Sequence, residues 1–197
     1  MMKVPTTFRV LRISLAAVCL SLAAAAPARA NLILNSGFES GDFTSWTTTS
    51  SPSGSFFFVA GHAHSGSSAA WFGGLGRTDD RVSETFDTVA GQEYVLDFWL
   101  GHGLTDRQND FNVSWGTTTL LHLVNAPKFG YRHYSFTETA VGSSTTLTFG
   151  GRDMLDYFFL DDISVTAAPI PTPEPASVAL VGAGIVLLAR RCRSRRF

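Results

Sequence analysis

Short segments in which polar and apolar residues alternate recur from residue 31 to residue 168, separated by Gly, Ser, Asn and Asp, and no stretch among them keeps a long helical period. Side chains on a strand point alternately to its two faces, so a period of two that breaks and restarts requires many short strands with one buried face. The expected strands are Leu32–Leu34, Ser55–Val59, Ala69–Phe72, Arg81–Phe86, Glu93–Leu100, Asp110–Gly116, Leu120–Val124, Arg132–Thr137, Thr145–Phe149 and Tyr157–Val165. This spacing reads as an all-β antiparallel sandwich.

Parity then sorts the faces. Tyr94, Leu96, Phe98 and Leu100 form one core-facing set, with Val95, Asp97 and Trp99 on the other face. Phe111, Val113 and Trp115 form a second core set. In the last strand the same rule predicts Phe159, Asp161, Ile163 and Val165 inward. That places a carboxylate in an apolar row, where it requires a partner or a cation.

Both ends of the chain differ from this pattern. Residues 1–30 read as a secretory signal peptide. Lys3, Arg9 and Arg12 precede an apolar run, and Pro27-Ala28-Arg29-Ala30 sets cleavage after Ala30. Cys19 raises a lipoprotein alternative, which the preceding Val18 and the continuing apolar run disfavour. Residues 169–175 form a Pro-rich linker containing Pro173, Glu174 and Pro175. Residues 176–197 carry the uncharged run Ala176–Ala189 and then Arg190, Arg191, Arg193, Arg195 and Arg196. Its 14 residues make a helix of ~21 Å, short of the ~30 Å hydrocarbon core, which flanking Arg stems extend by snorkelling. The Arg cluster is expected to stay cytoplasmic, so the tail reads as a membrane partner with a set orientation.

The three-part tail resembles the PEP-CTERM sorting signal of exported proteins of Gram-negative bacteria. That resemblance implies an exosortase as partner, transient anchoring, and delivery to the cell surface or to an exopolysaccharide and biofilm matrix. It implies a route and not a biochemical activity.

The remaining 138 residues, 31–168, contain no cysteine and carry six Lys and Arg against 15 Asp and Glu, a net charge of −9. Such a domain is a poor partner for nucleic acid, which requires a basic face. The five His (His62, His64, His102, His122 and His133) make no zinc pattern. No nucleophile-elbow or phosphate-loop motif is present. Asp79, Asp80, Asp106, Asp110, Asp153 and Asp156 supply acids from which a glycosidase pair could be drawn, although such residues more often sit in turns.

A second resemblance covers most of the domain. Asn31-Leu32-Ile33-Leu34-Asn35-Ser36-Gly37-Phe38-Glu39, followed by Gly41 and Trp46, is similar to the opening of galactose-binding-like jelly rolls of the carbohydrate-binding-module 4/9/22 type. His64-Ser65-Gly66, Gly91-Gln92-Glu93-Tyr94-Val95-Leu96-Asp97-Phe98 and Phe159-Leu160-Asp161-Asp162-Ile163-Ser164-Val165 resemble later steps of the same pattern, in the same order. The resemblance implies that the first and last strands meet and that structural Ca²⁺ sits there on Glu39 and Asp161, with backbone carbonyls near Ser65-Gly66 completing the shell. The alternative leaves Glu39 on the surface and Asp161 capping backbone amides. The resemblance speaks for fold rather than ligand; extracellular polysaccharide is the candidate ligand, since sugar rings stack on flat side chains. Trp71, Trp99, Tyr131 and His133 fall off the core face by parity and are the candidate ligand contacts. A non-catalytic surface or matrix protein is the expected function; a carbohydrate-active enzyme and a purely structural matrix protein are the alternatives.

Overall fold

The computed structural model describes residues 29–104 and 108–169. The signal peptide up to residue 28, Asp106, the Pro173-Glu174-Pro175 motif, the apolar run and Arg190, Arg191 and Arg193 lie outside the described residues. No helix among the described residues is long and apolar enough to cross a membrane.

Ten strands form the described chain: β1 (Thr47–Thr49), β2 (Phe57–Ala60), β3 (Ala69–Phe72), β4 (Asp80–Asp87), β5 (Glu93–His102), β6 (Asn109–Trp115), β7 (Thr118–Val124), β8 (Phe129–Thr139), β9 (Ser144–Asp153) and β10 (Phe158–Ala167). They make two five-stranded sheets, ordered β1-β4-β9-β6-β7 and β2-β3-β10-β5-β8, with every pairing antiparallel. The result is the two-sheet sandwich that the alternation predicts.

The core between the sheets is aromatic. Phe72, Phe98, Phe111, Phe149 and Phe158 are fully buried, and Phe72 and Phe158 from one sheet meet Phe111 from the other at 5.5 and 5.1 Å between ring centres. Each such ring contributes ~2 kcal/mol by leaving water. The parity readings hold in β5 and β6: Tyr94, Leu96, Phe98, Leu100, Phe111, Val113 and Trp115 are all buried.

In β10 the parity reading fails halfway. Asp161 pairs with Trp99 but Ser164 pairs with Asp97, so Asp162 and Ile163 together oppose one residue of β5. Asp162 has a φ of 49°, as the extra residue of a bulge does. The bulge resets the alternation. Phe158 and Leu160 point inward before it, and Ile163 and Val165 after it. Phe159 and Asp161, expected in the core, therefore belong to the outer face of the sheet, where both are buried beneath other groups.

Leu32–Leu34 is not a strand. The chain from Asn31 to Ser36 runs as an irregular strap against β10, and Asn35 has a φ of 46°. The strap uses side chains where a strand would use a ladder: Asn31 Nδ2 donates to the Ile163 carbonyl and Asn31 Oδ1 accepts from the Val165 amide, both at 2.8 Å. Leu32 N–H donates to Val165 O and Ile163 N–H to Ser36 O, so the two ends of the domain do meet. The strap then crosses to the other sheet, where Leu34 N–H donates to Glu84 Oε1 at 3.0 Å.

Glu84 is buried and its Oε2 has no hydrogen-bond partner. Burial pushes its carboxyl above the usual Glu range, opposed by the Leu34 amide. A raised folded-state value means that the ionised form costs stability. The group's contribution is fully present below the ordinary Glu value and is lost as pH rises through the raised one. Glu84→Gln keeps the acceptor for Leu34 and removes the charge. It is expected to raise the melting temperature at pH 7 by a few degrees, on the order of 1 kcal/mol. The gain should shrink as pH falls towards 4. Thermal melts of both proteins across pH 4–8 decide this; a gain that stays constant with pH rules out the buried charge as its cause.

Candidate functional site

The outer face of the β2-β3-β10-β5-β8 sheet carries a row with rings on four of its five strands and a glycine on the fifth, β5. Register sets its order. Phe58 on β2 stands opposite Trp71 on β3, Trp71 opposite Phe159 on β10, and Phe159 opposite Gly101 on β5. Tyr131 on β8 follows, its backbone nitrogen 3.6 Å from where a Cβ on Gly101 would lie. The rings touch along the row: Phe58 stacks on Trp71 at 5.4 Å, and Phe159 meets Trp71 edge-on at 4.7 Å. Tyr157 packs against Trp71 at 5.1 Å and His62 against Phe159 at 4.5 Å. Because Gly101 has no side chain, the row dips between Phe159 and Tyr131. A recess of about 360 Å³ opens there, lined by His62, Gly101, Lys128, Phe129, Tyr131 and Phe159.

The polar ends of the row are fixed by the loop between β2 and β3. Trp71 Nε1–H donates to Gly61 O at 2.8 Å and Tyr131 O–H to His62 O at 2.7 Å. The Tyr131 hydroxyl is held well above the ordinary phenol range, first by burial and then by the Asp161 and Asp162 charges. The indole and phenol rings are thereby fixed in orientation, with the hydrogen-bonding capacity of their polar ends used internally.

One strand pitch along the sheet lies a second group. Register places Asp161, Trp99 and His133 side by side on β10, β5 and β8. His133 Nε2 is 3.0 Å from Asp97 Oδ1. The His64 ring lies parallel to the Trp99 indole, 3.7 Å between centres and 12° between planes. All four candidate contacts, Trp71, Trp99, Tyr131 and His133, are therefore on one face, with Trp71 and Tyr131 in the row and Trp99 and His133 beside it. Sequence reasoning missed Phe58, His62, His64, Tyr157 and Phe159 as members. The adjacent acids Asp161-Asp162 were the available signal for Phe159, since a bulge there reverses its side.

Three carboxylates hold the β2–β3 loop down. Glu39 Oε1, from the turn after the strap, accepts from the amides of Ser67 and Ser68 at 2.8 and 2.9 Å. Asp161 Oδ2 accepts from His64 and Ser65 at 2.7 and 3.1 Å, and Asp161 Oδ1 from the Asp162 amide at 2.7 Å. Asp162 takes the His64 Nδ1 and the Ser65 hydroxyl. Gly66 is required between them: its φ is 68°, and a Cβ there would lie 2.5 Å from Glu39 Oε1. Burial pushes the Asp161 carboxyl above the usual carboxylate range, and the Asp162 charge adds to this; the amides of Ser65, Asp162 and His64 pull it down without cancelling the effect.

The two expected metal ligands, Glu39 and Asp161, thus grip successive amides of one loop, and Asp161 caps backbone N–H groups as the alternative reading had it. Their hard oxygens suit Ca²⁺ by type. Among the described residues no group of three His, Cys, Asp or Glu side chains forms a metal cluster, so an ion here would draw on these two carboxylates and on backbone oxygens.

The other acids are engaged elsewhere. Arg152 donates to Asp79 Oδ1 at 2.7 Å and to Asp110 Oδ2 at 3.2 Å on the opposite sheet, and His122 is 3.1 Å from Asp110. Asp80 Oδ1 accepts from the Ser51 amide and Asp153 pairs with His102.

No protein-family model matches the chain, and no curated protein does. Solved structures match over the domain. TmCBM61 in complex with β-1,4-galactotriose superposes with a TM-score of 0.54 at 18% identity, over 71% of this chain and 99% of that one. The CBM22-1 xylan-binding domain of Xyn10C from Paenibacillus barcinonensis gives 0.52 at 15%, over 74% and 99%. The fold is the jelly roll of carbohydrate-binding modules. It also matches part of an enzyme: the enzymatically active domain of tailspike protein 4 of bacteriophage CBA120 gives 0.55 at 9% identity, over 70% of this chain and 21% of that one. At these identities the likeness concerns architecture, and function has to be argued from the site.

Proposed function

We propose that residues 31–168 form a non-catalytic polysaccharide-binding module that takes its ligand on the outer face of the β2-β3-β10-β5-β8 sheet. The observation that carries this reading is the row of Phe58, Trp71 and Tyr131, joined through the buried Phe159, with its recess at Gly101. Sugar rings present flat C–H faces, and a fixed aromatic row with its polar ends already bonded suits them better than it suits a charged ligand. Two further observations support it. The acidic net charge disfavours polyanions, and Asp79 and Asp110, bound to one Arg152, are not poised as an acid and a base. In this reading Ca²⁺ bound through Glu39 and Asp161 clamps the β2–β3 loop. The signal peptide exports the chain, the tail anchors it briefly in the membrane, and an exosortase releases it to the cell surface or matrix.

The test is binding of the full chain, in a detergent without a sugar headgroup, to immobilised xylan, β-1,4-galactan and a panel of bacterial exopolysaccharides. Trp71→Ala is expected to weaken binding by about 2 kcal/mol, ~30-fold, as the central ring of the row. Circular dichroism should remain that of the folded wild type, and Trp71→Phe should recover part of the loss. Silence across the panel from a folded chain, or binding indifferent to Trp71, ends the proposal and leaves a structural matrix role.

A further inference from the structure

The two halves of the aromatic face differ in one respect. The row from Phe58 to Tyr131 keeps a recess beside Gly101, with His62 packed at its edge, whereas Trp99 has a ring in parallel contact with its face. His64 lies over the indole at 3.7 Å and 12°, the slab that a stacked ligand ring would need. Two rings cannot share that slab, since carbon atoms do not approach much closer than ~3.5 Å.

His64 is also tied there by more than stacking. Its Nδ1 is 2.6 Å from Asp162 Oδ2, its backbone N–H donates to Asp161 Oδ2, and the next residue, Ser65, donates its hydroxyl to Asp162 Oδ1. Tyr131 packs edge-on to it at 5.4 Å. The side chain is nonetheless about 30% exposed, so it lies at the surface and has room to leave. Its backbone bond to Asp161 is independent of where the imidazole points.

From this geometry we propose that His64 is a specificity-determining residue: its imidazole occupies the Trp99 platform in place of a sugar ring and so limits how long a glycan the face accepts. The inference rests on the aromatic face being the ligand surface. A chain laid across the strands, from Phe58 over Trp71 to Tyr131, spans four strand spacings, ~19 Å, and passes the recess beside Gly101. A chain that turns along the sheet towards Trp99 and His133 meets His64. Rotation of the His64 side chain, which gives up the stack and the bond to Asp162, adds the Trp99 platform to the site.

Acrylamide quenching of the full chain tests this without any sugar. The contribution of Trp99 is the difference between a protein and its Trp99→Phe partner. It is expected to be quenched several-fold more readily in His64→Ala than in wild type. His64→Phe, which restores a ring without the Asp162 bond, should return it to the protected value. His64→Ala keeps the backbone bond to Asp161, so the loop remains anchored; the His64→Phe comparison stands on its own if it does not. Xylotriose and xylohexaose then probe length. Wild type should bind the two within about twofold of each other, and His64→Ala should favour the hexamer at least fivefold. Equal quenching of Trp99 in wild type and His64→Ala overturns the proposal, as does an unchanged length preference. Either result leaves the binding face intact if Trp71→Ala still weakens binding. Absence of binding to both probes by both proteins counts against the face itself, and quenching then reports separately on whether His64 covers Trp99.

Discussion

Asp153→Asn is expected to cost the domain about 3–5 kcal/mol, the largest stability loss of any single substitution considered, because it breaks an ion pair sealed in the core. His102 Nε2 and Asp153 Oδ2 are 2.7 Å apart and neither side chain is exposed. The other ring nitrogen, Nδ1, is 3.1 Å from the Pro127 carbonyl. Both nitrogens therefore face acceptors, and a neutral imidazole carries only one N–H. A second proton in the pair, as in His⁺ against Asp⁻, would satisfy both acceptors. Asp153 also accepts from the Leu155 and Asp156 amides through Oδ1. The pair spans the sandwich from β5 to β9, and His102 stacks on Phe158 at 4.3 Å beside the recess at Gly101. At ~2–4 °C per kcal/mol for a domain near this size, the melting temperature should fall by roughly 10 °C. Urea unfolding of the two proteins measures the difference. His102→Phe in the Asp153→Asn background should add less than the same change in wild type, because the two residues act as one unit. A loss below about 1 kcal/mol for Asp153→Asn would mean that no charge is buried there.

Whether the sequence revealed an element depended on how regularly it alternated. β5 and β6 were readable to the residue because Tyr94-Leu96-Phe98-Leu100 and Phe111-Val113-Trp115 keep an unbroken period of two. β10 was readable as a strand, and parity placed Ile163 and Val165 correctly, but it put Phe159 and Asp161 on the wrong side, since one extra residue at Asp162 reverses the sides and only the paired acids hinted at it. Thr47–Thr49 escaped notice because an exposed edge strand has no buried face to impose a pattern. Leu32–Leu34 was read as a strand because it is a short apolar run between asparagines, yet Asn31 supplies from its side chain the bonds that a ladder would have supplied from the backbone. The site followed the same rule. Trp71, Trp99, Tyr131 and His133 were placed on the outer face by parity alone. His62 and His64 sit on a loop, where no period operates, and their partners became visible only when the loop was seen folded over Asp161.

Asp161→Ala should do the most damage on the site side, and it separates two roles of one carboxylate. Asp161 is fully buried and is the acceptor for three amides, those of His64, Ser65 and Asp162. Leaving buried donors unmet costs about 1–3 kcal/mol each, with the sum reduced by whatever water enters. A loss of about 3 kcal/mol is expected, accompanied by release of the β2–β3 loop. That release removes the carbonyls of Gly61 and His62 from Trp71 and Tyr131, so polysaccharide binding should fall with it. Asp161→Asn retains an oxygen for these amides and should lose less stability. If Ca²⁺ also uses this carboxylate, the two proteins diverge in another way. The wild-type melting temperature should drop in excess EDTA, by the equivalent of ~2.7 kcal/mol if the ion had been present at a hundred times its dissociation constant. That of Asp161→Asn should not move. The ion is expected because Glu39 and Asp161 bring two carboxylates to one loop, and hard oxygens suit Ca²⁺. A wild-type melt that is indifferent to EDTA ends the calcium proposal. The amide-capping role would still stand, since it rests on the three N–H bonds and requires no metal.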